Sequence, residues 1–457
     1  MKNGSAPALT AAQAAAQARA AGVRLVRFLY CDNDGVIRGK CSGIADLETR
    51  LERGIGLTLA MQAFTMLDHL APFEGMGPVG EIRLVPDPST FVIAPYAPRT
   101  GAVLVDMITL DGQPYPADGR AFLKRMVSRA AESGLNMLAA FEPEWTLAMR
   151  VDGVYQPIDE SGCFTTTGMN TAAGVIDEIV DALEAQGLEV EQYYPELGWG
   201  QQELSITPAP ALAAADRHIL YKETVRGVAF QHGLYALFAP KPWLDQAGNG
   251  CHLHFSGWSS DGKTNRFYDA SQAYGLSTVA RQFMAGVLEH LLGLVALTCA
   301  SVNSYQRLQP QTWASAYRVW GPDNREGALR VASPTTSREA QSTNVELKAS
   351  DSSSNPYLAL GGVIAAGLDG IDRRLELPPP ATTDPHLLSE DDRRAMRADR
   401  LPQSLAEAIG HLRRDGVLID ALGEQLAGSY IAVKEADIAA FASEDQDFEL
   451  RQHAYKF

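Results

Sequence analysis

Hydrophobic and polar positions are spaced differently in the two parts of this chain. An Ala-rich, nearly uncharged run at 10–21 predicts a short helix. The run VRLVRFLY at 23–30 predicts a strand, closed by the turn residues Asp32, Asn33, Asp34 and Gly35. A second strand is expected from Val36, with others at 81–86, 90–93 and 102–107, each bounded by Gly or Pro. The part up to Gly112 therefore reads as a small sheet-rich domain with one or two helices. Long helical periods then take over, at 119–133, 172–187, 211–232, 272–297 and 356–373. Strands at 136–147, 188–194, 235–238 and 250–257 are interleaved with them, and their inner faces carry polar residues. The segment 375–400, rich in Pro and charge, reads as a surface excursion before two further helices and a charged tail. The expected class is α+β, in two domains at 1–112 and 113–457.

Charge and cysteine content narrow the partners. Lys and Arg total 39 against 55 Asp and Glu, a formal net charge of -16, which leaves no basic face for a phosphate backbone and excludes nucleic acid. With 46% hydrophobic and 21% charged residues the chain can bury a substantial core. Its five cysteines are odd in number, widely spaced and without a CxxC pair, so neither a disulfide framework nor a zinc ribbon is indicated, and a reducing cytoplasm is expected. The Ala-rich run is interrupted by Gln13, Gln17 and Arg19 and lacks the apolar core of a signal peptide. No stretch reads as the roughly 20 apolar residues of a membrane span, so no membrane is expected.

The candidate chemistry lies in the polar strand faces. In FEPEW at 141–145, period-two geometry throws Glu142 and Glu144 onto one side of a strand whose neighbours are too apolar to meet water. YYPELGWGQQELSI at 193–206 adds Glu196 and Glu203 around a Gly-containing turn. Gly248-Asn249-Gly250 precedes Cys251-His252-Leu253-His254, which sets two imidazoles on one strand face. Asn344-Val345-Glu346-Leu347-Lys348 supplies a fifth carboxylate between apolar neighbours. Oxygen-rich donors with few imidazoles suit Mg²⁺ or Mn²⁺ rather than zinc. Arg307, Arg325 and Arg330 fall close together beside strand-like segments, where guanidinium forks match carboxylate or phosphate oxygens. Neither a P-loop nor a dinucleotide-binding glycine motif is present.

Taken in order, FEPEW, PELGWGQQE, KPW before GNGCHLH, NSYQRLQP, DNREGALR and NVELKASDSSSNPYLAL resemble the glutamine synthetase family, over about 24–457. The resemblance implies an N-terminal β-grasp domain and a catalytic domain with a curved antiparallel sheet flanked by helices. It also implies a homo-oligomeric double ring of 10 or 12 subunits with sites between neighbours. By motif match Glu144, Glu196 and Glu203 hold one divalent cation, and Glu142, His252 and Glu346 a second. His254 and Arg330 face the ATP phosphates, Arg325 the transferred phosphoryl group, Arg307 the glutamate carboxylate and Gly248 the glutamate backbone. The implied reaction is phosphorylation of the glutamate γ-carboxylate by ATP, then attack by an amine to give a γ-glutamyl amide, with Glu346, Arg307 and Arg325 at the reacting groups.

Departures from the family pattern bear on the amine. Trp313 stands where ammonia-using members carry a flap glutamate that helps deprotonate ammonium. The ammonium-binding Asp-Gly-Ser-Ser motif is replaced by GLTLAMQAFTM at 56–66, and Cys163 stands for a tyrosine of the ammonium site. A small, strongly hydrated cation needs anions to desolvate it, so their loss points to a larger amine. Trp313, Phe64, Met66 and Cys163 suit an apolar alkyl or aromatic body, aniline among the candidates, over a polyamine or ethanolamine. Lys348 replaces an arginine that contacts glutamate, keeping the charge but losing the fork. The regulatory tyrosine loop is absent from 375–400. The competing expectations are a true glutamine synthetase, which Trp313 opposes, and a silent structural relative, which six filled ligand positions oppose.

Overall fold

The computed structural model describes residues 9–457, so the first eight residues of the expected 1–112 domain lie outside the described residues. The N-terminal sheet is built from β1 (Leu25–Cys31), β2 (Ile37–Gly43), β3 (Ile55–Thr58), β4 (Glu81–Pro86), β5 (Val92–Ile93) and β6 (Thr100–Ile108). Its order is β2-β1-β6-β4-β3, with β5 against β6; β1 and β6 run parallel and the other pairs antiparallel. Alternation in β1 sends Val26, Phe28 and Tyr30 into a core shared with Ala14, Ala15 and Ala18 of α1 (Ala11–Ala20). Thr10 starts that helix through a capping box with Gln13. The short α2 (Leu47–Arg53) and β3 were not expected, since seven and four residues are too few to show a period.

A ten-stranded sheet carries the rest: β7 (Asn136–Val151), β8 (Val154–Pro157), β9 (Val190–Pro195), β10 (Gln201–Ile206), β11 (Ala209–Pro210), β12 (Tyr235–Leu237), β13 (Cys251–Trp258), β14 (Tyr317–Pro322), β15 (Gly327–Val331) and β16 (Val345–Leu347). The main path is β14-β15-β16-β13-β7-β10-β9, and β8, β11 and β12 also pair with β7. Every pair is antiparallel except β14 with β15, which departs from the wholly antiparallel sheet expected. The helices are α3 (Gly119–Glu132), α4 (Thr166–Glu184), α5 (Ala211–Gln231), α6 (Thr278–Thr298), the single turns α7 (Ser304–Arg307) and α8 (Glu339–Ser342), α9 (Pro356–Asp372) and α10 (Glu390–Ala395). Four rather than two close the chain: α11 (Leu405–Arg414), α12 (Gly416–Leu422), α13 (Glu424–Phe441) and α14 (Gln446–Lys456). The apolar side of the sheet packs on α3, α5, α6 and α9 in one core, where Trp145 Nε1 donates to Tyr221 Oη at 3.1 Å. The architecture is the mixed α+β class expected, with an N-terminal domain and a curled sheet backed by helices.

Two helix starts differ from expectation, and side-chain caps explain both. Helix α4 begins six residues early, because Thr165 Oγ1 accepts from Gly168 N. Helix α6 begins six residues late, where Ser277 accepts from Ala280 N; the preceding stretch turns at Tyr274, whose φ is +58°. At 21 residues α6 is long and apolar enough to cross a bilayer, contrary to the sequence reading, yet 72% of that window is buried inside the fold. It is a core helix.

Candidate active site

On β7 the residues Phe141, Pro143 and Trp145 point into the core, so Glu142 and Glu144 emerge on the opposite face. Glu144 is held by two donors, Gly250 N and Gln201 Nε2, each 2.9 Å from its Oε2. Antiparallel pairing sets His252 of β13 opposite Glu142 and His254 opposite Glu346 of β16. His252 Nδ1 lies 3.2 Å from Glu346 Oε1 and 3.4 Å from Glu142 Oε2, with its Nε2 3.8 Å from Glu144. His254 Nε2 is 3.1 Å from Glu142 Oε2, and its Nδ1 is 3.0 Å from Asn344 Oδ1. The ligand atoms of Glu142, His254 and Glu346 lie within 4.8 Å of one another. The family resemblance implied His252 for this set; both imidazoles lie against it, His254 within the 4.8 Å group and His252 with Nδ1 3.2 Å from Glu346 and 3.4 Å from Glu142.

The second group gathers around β10. Glu203 pairs in register with Glu144 and is buried, with the Tyr194 hydroxyl donating to it. Burial, reinforced by the Glu142 and Glu144 charges, pushes its carboxyl up to about 11. Burial and Glu144 likewise raise Glu196 to about 7. The first trio behaves oppositely. Burial works against ionisation of Glu346, but Lys348, His252, His254 and Arg330 outweigh it and hold the carboxyl down to about 2. His254 rises to about 9 against its burial because Glu142 and Glu346 favour the imidazolium. Carboxylates that must otherwise take up protons form a site short of positive charge, and an oxygen-rich donor set with one imidazole fits a hard divalent cation.

The basic residues fall into two sets. Arg330 Nη1 donates to Glu346 Oε2 at 2.7 Å, and Lys348 Nζ lies 3.2 Å from His252 Nε2 and 3.5 Å from Glu346. Arg307 is buried beneath them, with Nη2 donating to Ser350 O at 2.7 Å and its Nε buried without a partner. The approach is tight: a Cβ on Gly248 would sit 2.5 Å from Pro240 O and 2.7 Å from Arg307 Cγ. On Gly250 it would meet His252, Glu144 and Arg307 at 3.0, 3.1 and 3.2 Å. Arg325 is not part of this cluster; its side chain is exposed on the turn before β15 and forms no ion pair among the described residues. Trp313 is 56% exposed on a flap segment whose residues Gln311, Trp313 and Ser315 all have positive φ. Cys163 Sγ lies 3.9 Å from Glu196 Oε2, and burial together with that carboxylate raises the thiol to about 11. Sequence reasoning did not single out Gln201, Tyr194 or Asn344. All three lie inside the quoted motifs, yet only strand register reveals what they touch.

The chain matches the glutamine synthetase catalytic domain over residues 116–453 and the glutamine synthetase N-terminal domain over 10–115. It belongs to the glutamine synthetase family. A γ-glutamylpolyamine synthetase of Streptomyces coelicolor is 36% identical over 95% of this chain and 94% of that protein. A glutamine synthetase of Thermus thermophilus is 34% identical over 91% and 92%. Among solved structures, a GmaS/ADP complex superposes with a TM-score of 0.83 at 30% identity, covering 96% of this chain and 98% of that one. This glutamine synthetase family member is thus an ATP-dependent ligase, and its family uses glutamate, an amine, ATP and a divalent metal.

Proposed function

We propose that this ligase joins glutamate to an amine other than ammonia through a γ-glutamyl phosphate intermediate. The observation that carries the reading is Trp313, an exposed indole on the flap where a carboxylate would serve ammonium. An apolar alkyl or aromatic amine suits the exposed indole of Trp313 and the half-buried thiol of Cys163, whereas Met66 is buried in the core; an arylamine such as aniline enters uncharged. The polyamine-named relative from Streptomyces coelicolor favours a second reading, in which the amine carries further cationic nitrogens.

In this proposal Glu144, Glu196 and Glu203 hold one divalent cation, Mg²⁺ or Mn²⁺, and Glu142 and Glu346 with His252 or His254 hold another. When bound, such cations neutralise phosphoryl oxygens and lower the barrier to transfer. Arg330 lies against Glu346 and reaches toward the nucleotide phosphates. Arg325, free on its turn, swings onto the transferring phosphoryl group. Arg307 and Gly248 seat the glutamate, with Lys348 adding charge without a fork. The same reading carries a domain boundary near Gly112, a double ring of 10 or 12 subunits and a cytoplasmic setting.

The test is phosphate release from ATP with Mg²⁺ and glutamate across ammonium, methylamine, isopropylamine, ethanolamine, putrescine, spermine and aniline, with product masses checked. Turnover with an apolar or aromatic amine and not with ammonium is expected. Ammonium as the best substrate would falsify the amine reading, and silence with every amine would favour a structural relative. Glu144→Ala is expected to abolish turnover with little change in thermal unfolding; full activity in that variant removes the metal assignment.

A further inference from the structure

Trp313 leaves the flap without a carboxylate, but another lies directly beneath it. Glu326 occupies the turn just before β15 and is only 8% exposed. Its Oε1 accepts from the backbone N–H of Trp313 at 2.7 Å. Its Oε2 is buried and has no hydrogen-bond partner among the described residues. Unpaired buried carboxylate oxygens are costly, and in an enzyme they ask what they receive when substrate is present.

Placement bears this out. Arg330 of β15 lies opposite Glu346 of β16, and the next step along the pair brings Lys348 N to Ala328 O at 2.9 Å. One further two-residue step leads to Glu326, at the flap end of the edge that carries Arg330, Glu346 and Lys348. The flap is anchored to this turn on both sides, since Ser315 Oγ donates to Arg325 O at 3.2 Å and to Gly327 O at 3.0 Å. Three flap residues, Gln311, Trp313 and Ser315, hold φ of +60°, +58° and +66°. Backbone held in this region by its surroundings is characteristic of functional segments.

We propose that Glu326 is the carboxylate that meets the incoming amine and takes the proton that its ammonium form carries. The proposal rests on the reading of the protein as a glutamate–amine ligase. An alkylamine, like a lysine side chain with a pKa of about 10.4, arrives as a cation and passes one proton to Glu326 Oε2, which releases it to solvent. Its nitrogen lone pair forms the bond to the γ-carbon of γ-glutamyl phosphate. The bond from that carbon to the phosphate oxygen breaks, and its electron pair leaves on phosphate. The surplus N–H proton is taken up by the departing phosphate. Burial raises the Glu326 carboxyl above the usual range, reinforced by Asp384 and opposed by the Trp313 and Gln311 N–H groups and the Lys348 charge, which suits a proton acceptor.

Glu326→Gln retains an acceptor for the Trp313 N–H while removing the base. Formation of γ-glutamyl product is measured in wild type and variant with the best alkylamine of the panel and with hydroxylamine, a strong nucleophile that is uncharged at neutral pH. The expected result is a loss of about 100-fold with the alkylamine and under about 5-fold with hydroxylamine. Equal losses with both nucleophiles would overturn the proposal and leave Glu326 as a flap anchor, and so would alkylamine turnover within about threefold of wild type. If Glu326→Gln does not fold, Glu326→Asp, which withdraws the carboxylate by one methylene, must show the same selective loss. Wild-type protein that makes the hydroxamate but no product with any amine would instead sink the ligase reading itself, and this inference with it.

Discussion

Gly250 shows how little space single residues leave in this site. It donates its N–H to Glu144, and a methyl group there would press on His252, Glu144 and Arg307 together. Gly250→Ala is therefore expected to lower kcat by about tenfold or more through misplacement of these groups, in line with the cost of small displacements around reacting atoms. The thermal midpoint should move little, because φ at Gly250 is not in the left-handed region. Steady-state rates and an unfolding scan on one sample check both halves. At this scale the two glutamates of β7 were legible, since alternation in a run with apolar flanks sends both to one face. The split between Glu346, held ionised, and Glu203, driven to take up a proton, was not. It depends on which charges the register brings near each carboxyl.

Among the elements, α6, α9 and α12 are joined at one buried histidine. His290 of α6 has Nε2 2.9 Å from Asp369 of α9 and Nδ1 2.8 Å from Asp415, the cap of α12. Burial disfavours its charge, but Asp415 and Asp369 more than compensate, and its pKa is raised above 6.5. A histidine raised in the folded state contributes stability that is fully present below its unfolded pKa and is lost as pH rises through the folded value. The stability deficit of His290→Gln should thus be largest near pH 6 and shrink toward pH 9, read as the difference in urea midpoints across that range. A deficit independent of pH would mean that shape rather than charge holds the three helices. The long helices were legible because each runs for several turns of apolar and helix-forming residues, α9 being buried on every side. Helix α2 and strand β3 were not, seven and four residues being shorter than the windows in which a period emerges.

The two sheets are tied into one molecule by the turn between β1 and β2. Asp34 forms a buried ion pair with Lys434 of α13, Asn33 Nδ2 donates to Ser429 Oγ at 2.9 Å, and Asn355 Nδ2 donates to Asp32 O at 2.9 Å. Gly35 completes the joint at φ +85°, where a Cβ would stand 2.1 Å from Ser353 O. Lys434→Met keeps the volume but strands the Asp34 charge, and is expected to cost about 3–5 kcal/mol in equilibrium unfolding. Adding Asp34→Asn should recover part of that loss; no recovery would show that packing, not charge, makes the joint.

The sequence by itself determined the class of this protein, the order of its long elements and the common strand face of Glu142 and Glu144. Those features are set by periodicity and by the chemistry of side chains, which act over a few residues. Only the tertiary structure decided that His254 joins Glu142 and Glu346, that Arg325 stands apart and that Glu326 lies beneath Trp313 with one oxygen bonded to its N–H and the other without a partner among the described residues. These depend on strand register and on contacts between segments far apart in the chain, where a shift of one residue turns a side chain to the opposite face.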